Sequence, residues 1–173
     1  MINFDNAATT FPKPRSVRQA MEMAMLKYGG NAGRGGHQLT ERTSEQVFAA
    51  REEAAAFFGG KPENTIFCLN CTHALNLAIQ GIVQPNDHVI ISNLEHNAVL
   101  RPVAAMVRER GVQCSIAPVS VDDKETIAAF RARIRPNTRA IICTLASNVT
   151  GQILPYRELA ALCNEHDICM IAD

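Results

Sequence analysis

Net charge is the first thing this sequence lacks. Seventeen basic and seventeen acidic side chains cancel over 173 residues, so no global field draws the chain to nucleic acid or to an anionic membrane. No apolar run approaches the ~20 residues that cross a bilayer. The first residues, Met1-Ile2-Asn3-Phe4-Asp5, show neither the basic nor the apolar region of a secretory signal. The expectation is a cytoplasmic protein with no membrane and no nucleic-acid partner. Repeats, low-complexity tracts and linkers are also missing. No metal set is expected: Cys163, His166 and Cys169 lie three apart across a helix end and a strand, with no second Cys/His pair at zinc spacing. The glycine-rich stretch Gly29–Gly36 contains no G-x-G-x-x-G and follows no strand, which excludes a dinucleotide module.

Hydrophobic residues make up 47% of the chain and charged residues 20%, the balance of a globular domain. A chain of this length buries roughly 70% of its unfolded surface without a metal or disulfide staple. The six cysteines, Cys68, Cys71, Cys114, Cys143, Cys163 and Cys169, are accordingly expected to be reduced core residues. Asn148-Val149-Thr150 fits a glycosylation acceptor, a signal without meaning in the cytoplasm.

The apolar pattern alternates between two periods. Helical stripes run through Val17, Met21, Ala24 and Tyr28, through Val47, Ala50, Ala54 and Phe58, and through Leu75, Ala78, Ile79 and Ile82. Val99, Val103 and Val107 form a fourth. A fifth starts at Asp122, with Ile127, Phe130 and Ile134 and a capping pair in Asp122 and Glu125. A sixth opens at Pro155, with Leu159, Leu162 and His166. Short β-branched runs are expected as strands at Thr65–Leu69, His88–Ser92, Cys114–Val119, Ala140–Leu145 and Ile168–Ala172. Buried strands separated by helices predict an α/β fold, a mostly parallel sheet flanked by helices. A strand pattern that runs into Asp173 predicts that the chain is the amino-terminal part of a longer one.

In such a sheet ligands bind beyond the carboxyl ends of the strands. Four loops there carry candidate chemistry. Asn70-Cys71-Thr72-His73 opens a helix whose first turn has no acid, and from Asn64 to Asn86 only His73 can carry charge. Such a helix start suits a phosphate, with Thr72 as a plain helix cap the alternative. Glu95-His96-Asn97 offers an imidazole to stack on a flat ring or shuttle a proton, or else a hydrogen-bonded loop histidine. Asn148 offers an amide or shapes a turn before Gly151. Asp173 ends an apolar strand as a carboxylate that needs a cation or donors, or as the cap of a following helix. Together the four suit pyridoxal phosphate: a phosphate seat at Cys71 and Thr72, His96 over the ring, Asn148 at the phenolic oxygen, and Asp173 at the pyridine nitrogen.

At this point the residues resemble a known family. Phe4-Asp5-Asn6-Ala7-Ala8-Thr9-Thr10 resembles the opening of the class-V aminotransferases, whose best-known members are cysteine desulfurases. Asn31-Ala32-Gly33-Arg34-Gly35-Gly36-His37 resembles their active-site loop. Thr72-His73-Ala74-Leu75-Asn76, Glu95-His96-Asn97, Asn148 with Gly151 and Pro155, and Asp173 follow in family order. The resemblance implies the first part of the large domain of a fold-type-I PLP-dependent transferase, with residues 1–14 as an amino-terminal arm and 15–173 in that domain. It implies a homodimer in which Asn6, Ala7, Arg34 and His37 lie near the substrate or dimer site. It further implies conversion of L-cysteine to alanine, with the sulfur kept as an enzyme persulfide for an acceptor protein. His73 stands where many relatives carry Glu. Of the family's Schiff-base lysine there is no match, since the lysines are Lys13, Lys27, Lys61 and Lys124; the 173 residues alone are expected to be inactive. Selenocysteine lyase and class-V aminotransferase activities are alternatives. So are a non-catalytic scaffold and a redox module built on Cys68-Leu69-Asn70-Cys71. Arg131, Arg133, Arg135 and Arg139 are read as a solvated face at a helix end.

Overall fold

The computed structural model describes residues 2–4, 6 and 8–173, in two units, Met1–Phe67 and Cys68–Asp173. In the first unit the predicted stripes become α1 (Arg15–Lys27) and α2 (Gln38–Phe57). No residue of α1 is buried. The second helix starts well before its apolar stripe because the loop leading into it is fastened to its first turns. Gly30 N–H donates to Thr43 Oγ1 at 3.2 Å and Gly33 N–H to Ser44 Oγ at 3.3 Å. Any side chain at position 30 would meet Leu39 O at 2.6 Å, so that approach requires glycine.

The second unit holds α3 (Cys71–Ile82), β1 (His88–Ser92), α4 (Asn97–Arg110), β2 (Gln113–Ala117), α5 (Asp123–Arg131), β3 (Thr138–Cys143), α6 (Tyr156–Glu165) and β4 (Cys169–Ala172). The sheet order is β2-β1-β3-β4 and every pairing is parallel. Alternation along the strands sends side chains to opposite faces. Val89 and Ile91 of β1 join Ala140 and Ile142 of β3 under Leu75, Ile79, Val99, Val103 and Met106 of α3 and α4. On the other face Ile90 and Ile141 meet Phe130, Leu159 and Leu162 of α5 and α6. The unit is a three-layer α/β sandwich, as the pattern predicts.

Four expectations need correction. Thr65–Leu69 is not a ladder strand: Thr65 is extended, but neither sheet edge pairs with the segment, and Ile66, Phe67 and Leu69 are exposed. β-Branched composition extends a backbone, whereas a strand also needs a neighbour. The fifth helix ends at Arg131, leaving Ile134 in the turn that follows. Its capping pair is half realised. Asp122 accepts from Lys124 N–H at 2.8 Å, but Glu125 accepts from Ser120 Oγ at 2.6 Å, and that hydroxyl takes the Asp122 N–H.

The arginines are also not one solvated face. Arg131 pairs with Glu165 through two bonds of 3.0 and 2.8 Å, and Arg133 donates to the Ile116 and Ala129 carbonyls, both at 2.7 Å. Arg135 reaches Gln113 Oε1 at 2.7 Å, and Arg139 reaches the Ile82 carbonyl at 3.2 Å. Arg131 thus ties α5 to α6, Arg133 and Arg135 tie the turn after α5 to β2, and Arg139 ties β3 to α3.

Candidate functional site

The strand order reverses direction between β1 and β3: from β1 the chain goes to β2 on one side, then crosses to β3 on the other. At such a switch point the loops diverge and leave a crevice at the carboxyl ends of the strands. All four candidate loops of the second unit open there.

Helix α3 is capped by Asn70, whose side chain accepts from His73 N–H at 2.9 Å. Thr72 is therefore not the cap, and its side chain is exposed. The first intrahelical bond is Ala74 N–H to Asn70 O at 3.1 Å, so the Cys71 and Thr72 amides precede the ladder at the positive end of the helix. The structure brings this helix start to Asp173 directly. Cys71 Sγ donates to Asp173 Oδ1 at 3.1 Å. That bond, then burial, pushes the Cys71 thiol up to about 11. Cys71 is exposed, contrary to the expectation of a core cysteine. A raised thiol is also the opposite of what a redox pair with Cys68 requires. The expectation for the other cysteines holds best at Cys143, which is buried and pushed up to about 12 by that burial.

His96 is the N-cap of α4. Its Nδ1 accepts from Ala98 N–H at 3.1 Å, which places the proton of the neutral ring on Nε2. The ring itself is exposed. Asn148 sits at the exposed tip of the loop after β3. Ser147, buried, holds that loop: its hydroxyl accepts from Val149 N–H at 3.3 Å and Thr150 N–H at 3.2 Å. The bridge Ala146–Ile153 and Gly151, in the left-handed region at φ 74°, close it.

Two residues were missed by sequence reasoning. One is Ser147. The other is Glu95, the chain neighbour of His96, whose Oε1 accepts from Ser92 Oγ and from Thr144 N–H at 3.0 Å. Burial raises its carboxyl pKa, and Asp173 adds in the same sense. A glutamate beside a histidine in a polar loop carries no sequence signal of burial.

In the first unit Asn6 shapes the amino-terminal turn, donating to Asn3 O at 2.6 Å and accepting from Phe11 N–H at 3.0 Å. Ala7 lies outside the described residues. Arg34 and His37 are exposed on the loop before α2, where the His37 ring meets Thr40 Oγ1 at 2.9 Å. Among the described residues no helix is long and apolar enough to cross a membrane.

The aminotransferase class-V family profile matches residues 2–173. The chain belongs to the class-V aminotransferase family. Within it, the chain is 28% identical to a probable cysteine desulfurase of Vibrio cholerae over 178 aligned residues, covering 100% of this chain and 44% of the relative. It is 29% identical to human selenocysteine lyase, covering 92% of this chain and 40% of that protein. The apo structure of a cysteine desulfurase from Thermococcus onnurineus NA1 superposes with a TM-score of 0.86 at 26% identity, over 98% of this chain and 43% of that one. The chain thus spans less than half the length of these class-V relatives.

Proposed function

We propose that these residues are the amino-terminal part of the cofactor-binding large domain of a PLP-dependent cysteine desulfurase, with residues 1–14 as its arm. The observation that carries this reading is the Cys71–Asp173 contact, which puts a carboxylate at a strand end beside the positive end of α3. The donor set suits PLP in its chemistry: amides and a hydroxyl for an anion, a carboxylate for a cationic nitrogen, an imidazole for a flat ring and an amide for a ring oxygen. The Cys71 and Thr72 amides and the Thr72 hydroxyl would hold the phosphate. His96 would lie on the ring, and Asn148 would donate to the ring oxygen. Asp173 would hold a proton at the pyridine nitrogen. When bound, the cofactor supplies the electron sink for bond cleavage at an amino acid.

The chain's own residues prepare that site. The Cys71 thiol donates to Asp173 Oδ1 and tethers that carboxylate to the start of α3, and Ser147 sets the loop that presents Asn148. With Nδ1 occupied by Ala98 N–H, His96 has Nε2 as its position for a proton. Arg34 and His37 serve the substrate or dimer site of a homodimer, and a sulfur-acceptor protein takes the product sulfur. This activity belongs to a protein that also carries the Schiff-base lysine, which none of Lys13, Lys27, Lys61 and Lys124 matches.

The test is to add PLP to the full-length protein, record visible absorption, and quantify alanine formed from L-cysteine and from L-selenocysteine in parallel. A cofactor band with alanine from cysteine is expected. Alanine from selenocysteine alone would favour the lyase reading that the human relative supports. No band overturns both.

A further inference from the structure

The β1–β3 divergence leaves one strand-end amide without a strand partner. Ile91 is the last β1 residue paired with β3, opposite Ile142, and β1 ends at Ser92. The next residues of β3's continuation still need partners. Leu145 N–H finds Asp173 O on the β4 side at 2.9 Å. Thr144 N–H finds no β1 carbonyl. It donates to Glu95 Oε1 at 3.0 Å, and the same oxygen accepts from Ser92 Oγ. Ser92 Oγ in turn accepts from Leu94 N–H at 3.1 Å. One carboxylate oxygen therefore closes the gap at the switch point, and it belongs to the residue next to His96.

We propose that Glu95 is a positioning residue: its carboxyl clasps the β1–α4 loop to the end of β3 and so sets the orientation of the His96 imidazole toward the cofactor. The inference rests on the cofactor reading above for its functional consequence, and on the hydrogen bonds alone for the clasp. The residue's other oxygen, Oε2, is buried with no protein partner. Burying a carboxylate oxygen in that way costs folding free energy, and the contacts of Oε1 carry the clasp. Thr144 also begins the segment that leads to Asn148, its hydroxyl donating to Ala146 O at 2.8 Å. A single clasp thus joins the two loops that present His96 and Asn148.

The test compares wild type, Glu95→Ala, Glu95→Gln, His96→Ala and the double variant Glu95→Ala/His96→Ala, all as the full-length protein. Hydrogen exchange at residues 93–98 and at Thr144, without cofactor, reads the clasp. PLP affinity and the circular dichroism of the bound cofactor read the imidazole. Losing the clasp is expected to speed exchange there and weaken PLP binding about tenfold each, the weight of one or two hydrogen bonds. Glu95→Gln keeps the Oε1 contacts and should stay within about twofold of wild type on both. In the His96→Ala background Glu95→Ala should add little to the loss of affinity. Unchanged exchange in Glu95→Ala refutes the clasp, and losses that multiply in the double variant refute its action through His96. If wild type binds no PLP, the cofactor reading and the positioning role fall together, while the exchange data still decide the clasp.

Discussion

Acidification should destabilise this protein through His88, at the opposite end of β1 from the site. His88 is 0% exposed and its ring joins three strands: Nδ1 meets Thr138 Oγ1 on β3 at 2.8 Å, and Nε2 meets Ser115 Oγ on β2 at 2.9 Å. A neutral ring can donate from one nitrogen and accept at the other. A protonated ring must donate from both, to hydroxyls already engaged by Arg135: its backbone N–H donates to Thr138 Oγ1 at 2.7 Å and its guanidinium to Ser115 Oγ at 3.2 Å. Burial first, and the Arg135 charge second, lower the His88 pKa from its ordinary 6.5. The neutral ring's contribution is therefore complete above pH 6.5 and is lost as the pH falls through the lowered folded value.

One proton taken up by the unfolded chain alone is worth at most about 1.4 kcal/mol per pH unit. Between pH 7.5 and 5.5 the expected loss is thus at most about 1.4 kcal/mol, roughly three-quarters of it below 6.5. Glu95 titrates in the opposite sense: its raised pKa favours the folded state at low pH and is a cost once the pH rises through the folded value. Urea unfolding of wild type and His88→Gln across this range cancels that opposing contribution in the difference. A wild-type curve parallel to that of His88→Gln would refute the reasoning.

Three other outcomes follow from the same geometry. Cys71 is exposed yet held near 11, so in cofactor-free protein at pH 8 it should alkylate about a hundredfold more slowly than a thiol at 9, and Asp173→Asn should restore the rate, both read by mass spectrometry. Phe130→Ala, at a side chain 0% exposed in the α5/α6 face of the core, should cost about 3–5 kcal/mol in denaturant unfolding. Asn70→Ala removes the α3 cap and should cost about 1 kcal/mol in the same assay.

Much of this protein was legible in its residues. Periodicity located six helices and four strands, all but the start of α2 to within a few residues, since a face that must be buried writes its period into the chain. His88–Ser92 was placed without error because all five residues are buried and both flanks are polar turns. The rule that ligands meet strand ends then points to Cys71, Thr72, His96, Asn148 and Asp173 as candidates from the sequence alone. Tertiary structure decided the rest, for one reason: hydrogen-bond partners distant in sequence leave no local signal. Thr65–Leu69 has strand composition but no neighbouring strand. Asn70 rather than Thr72 caps α3 because of where the chain turns. Each arginine of 131–139 found its own carbonyl or side-chain partner. Glu95 became the clasp of the switch point only because the fold stops β1 at Ser92 and leaves the amide of Thr144, 49 residues away, in need of an acceptor.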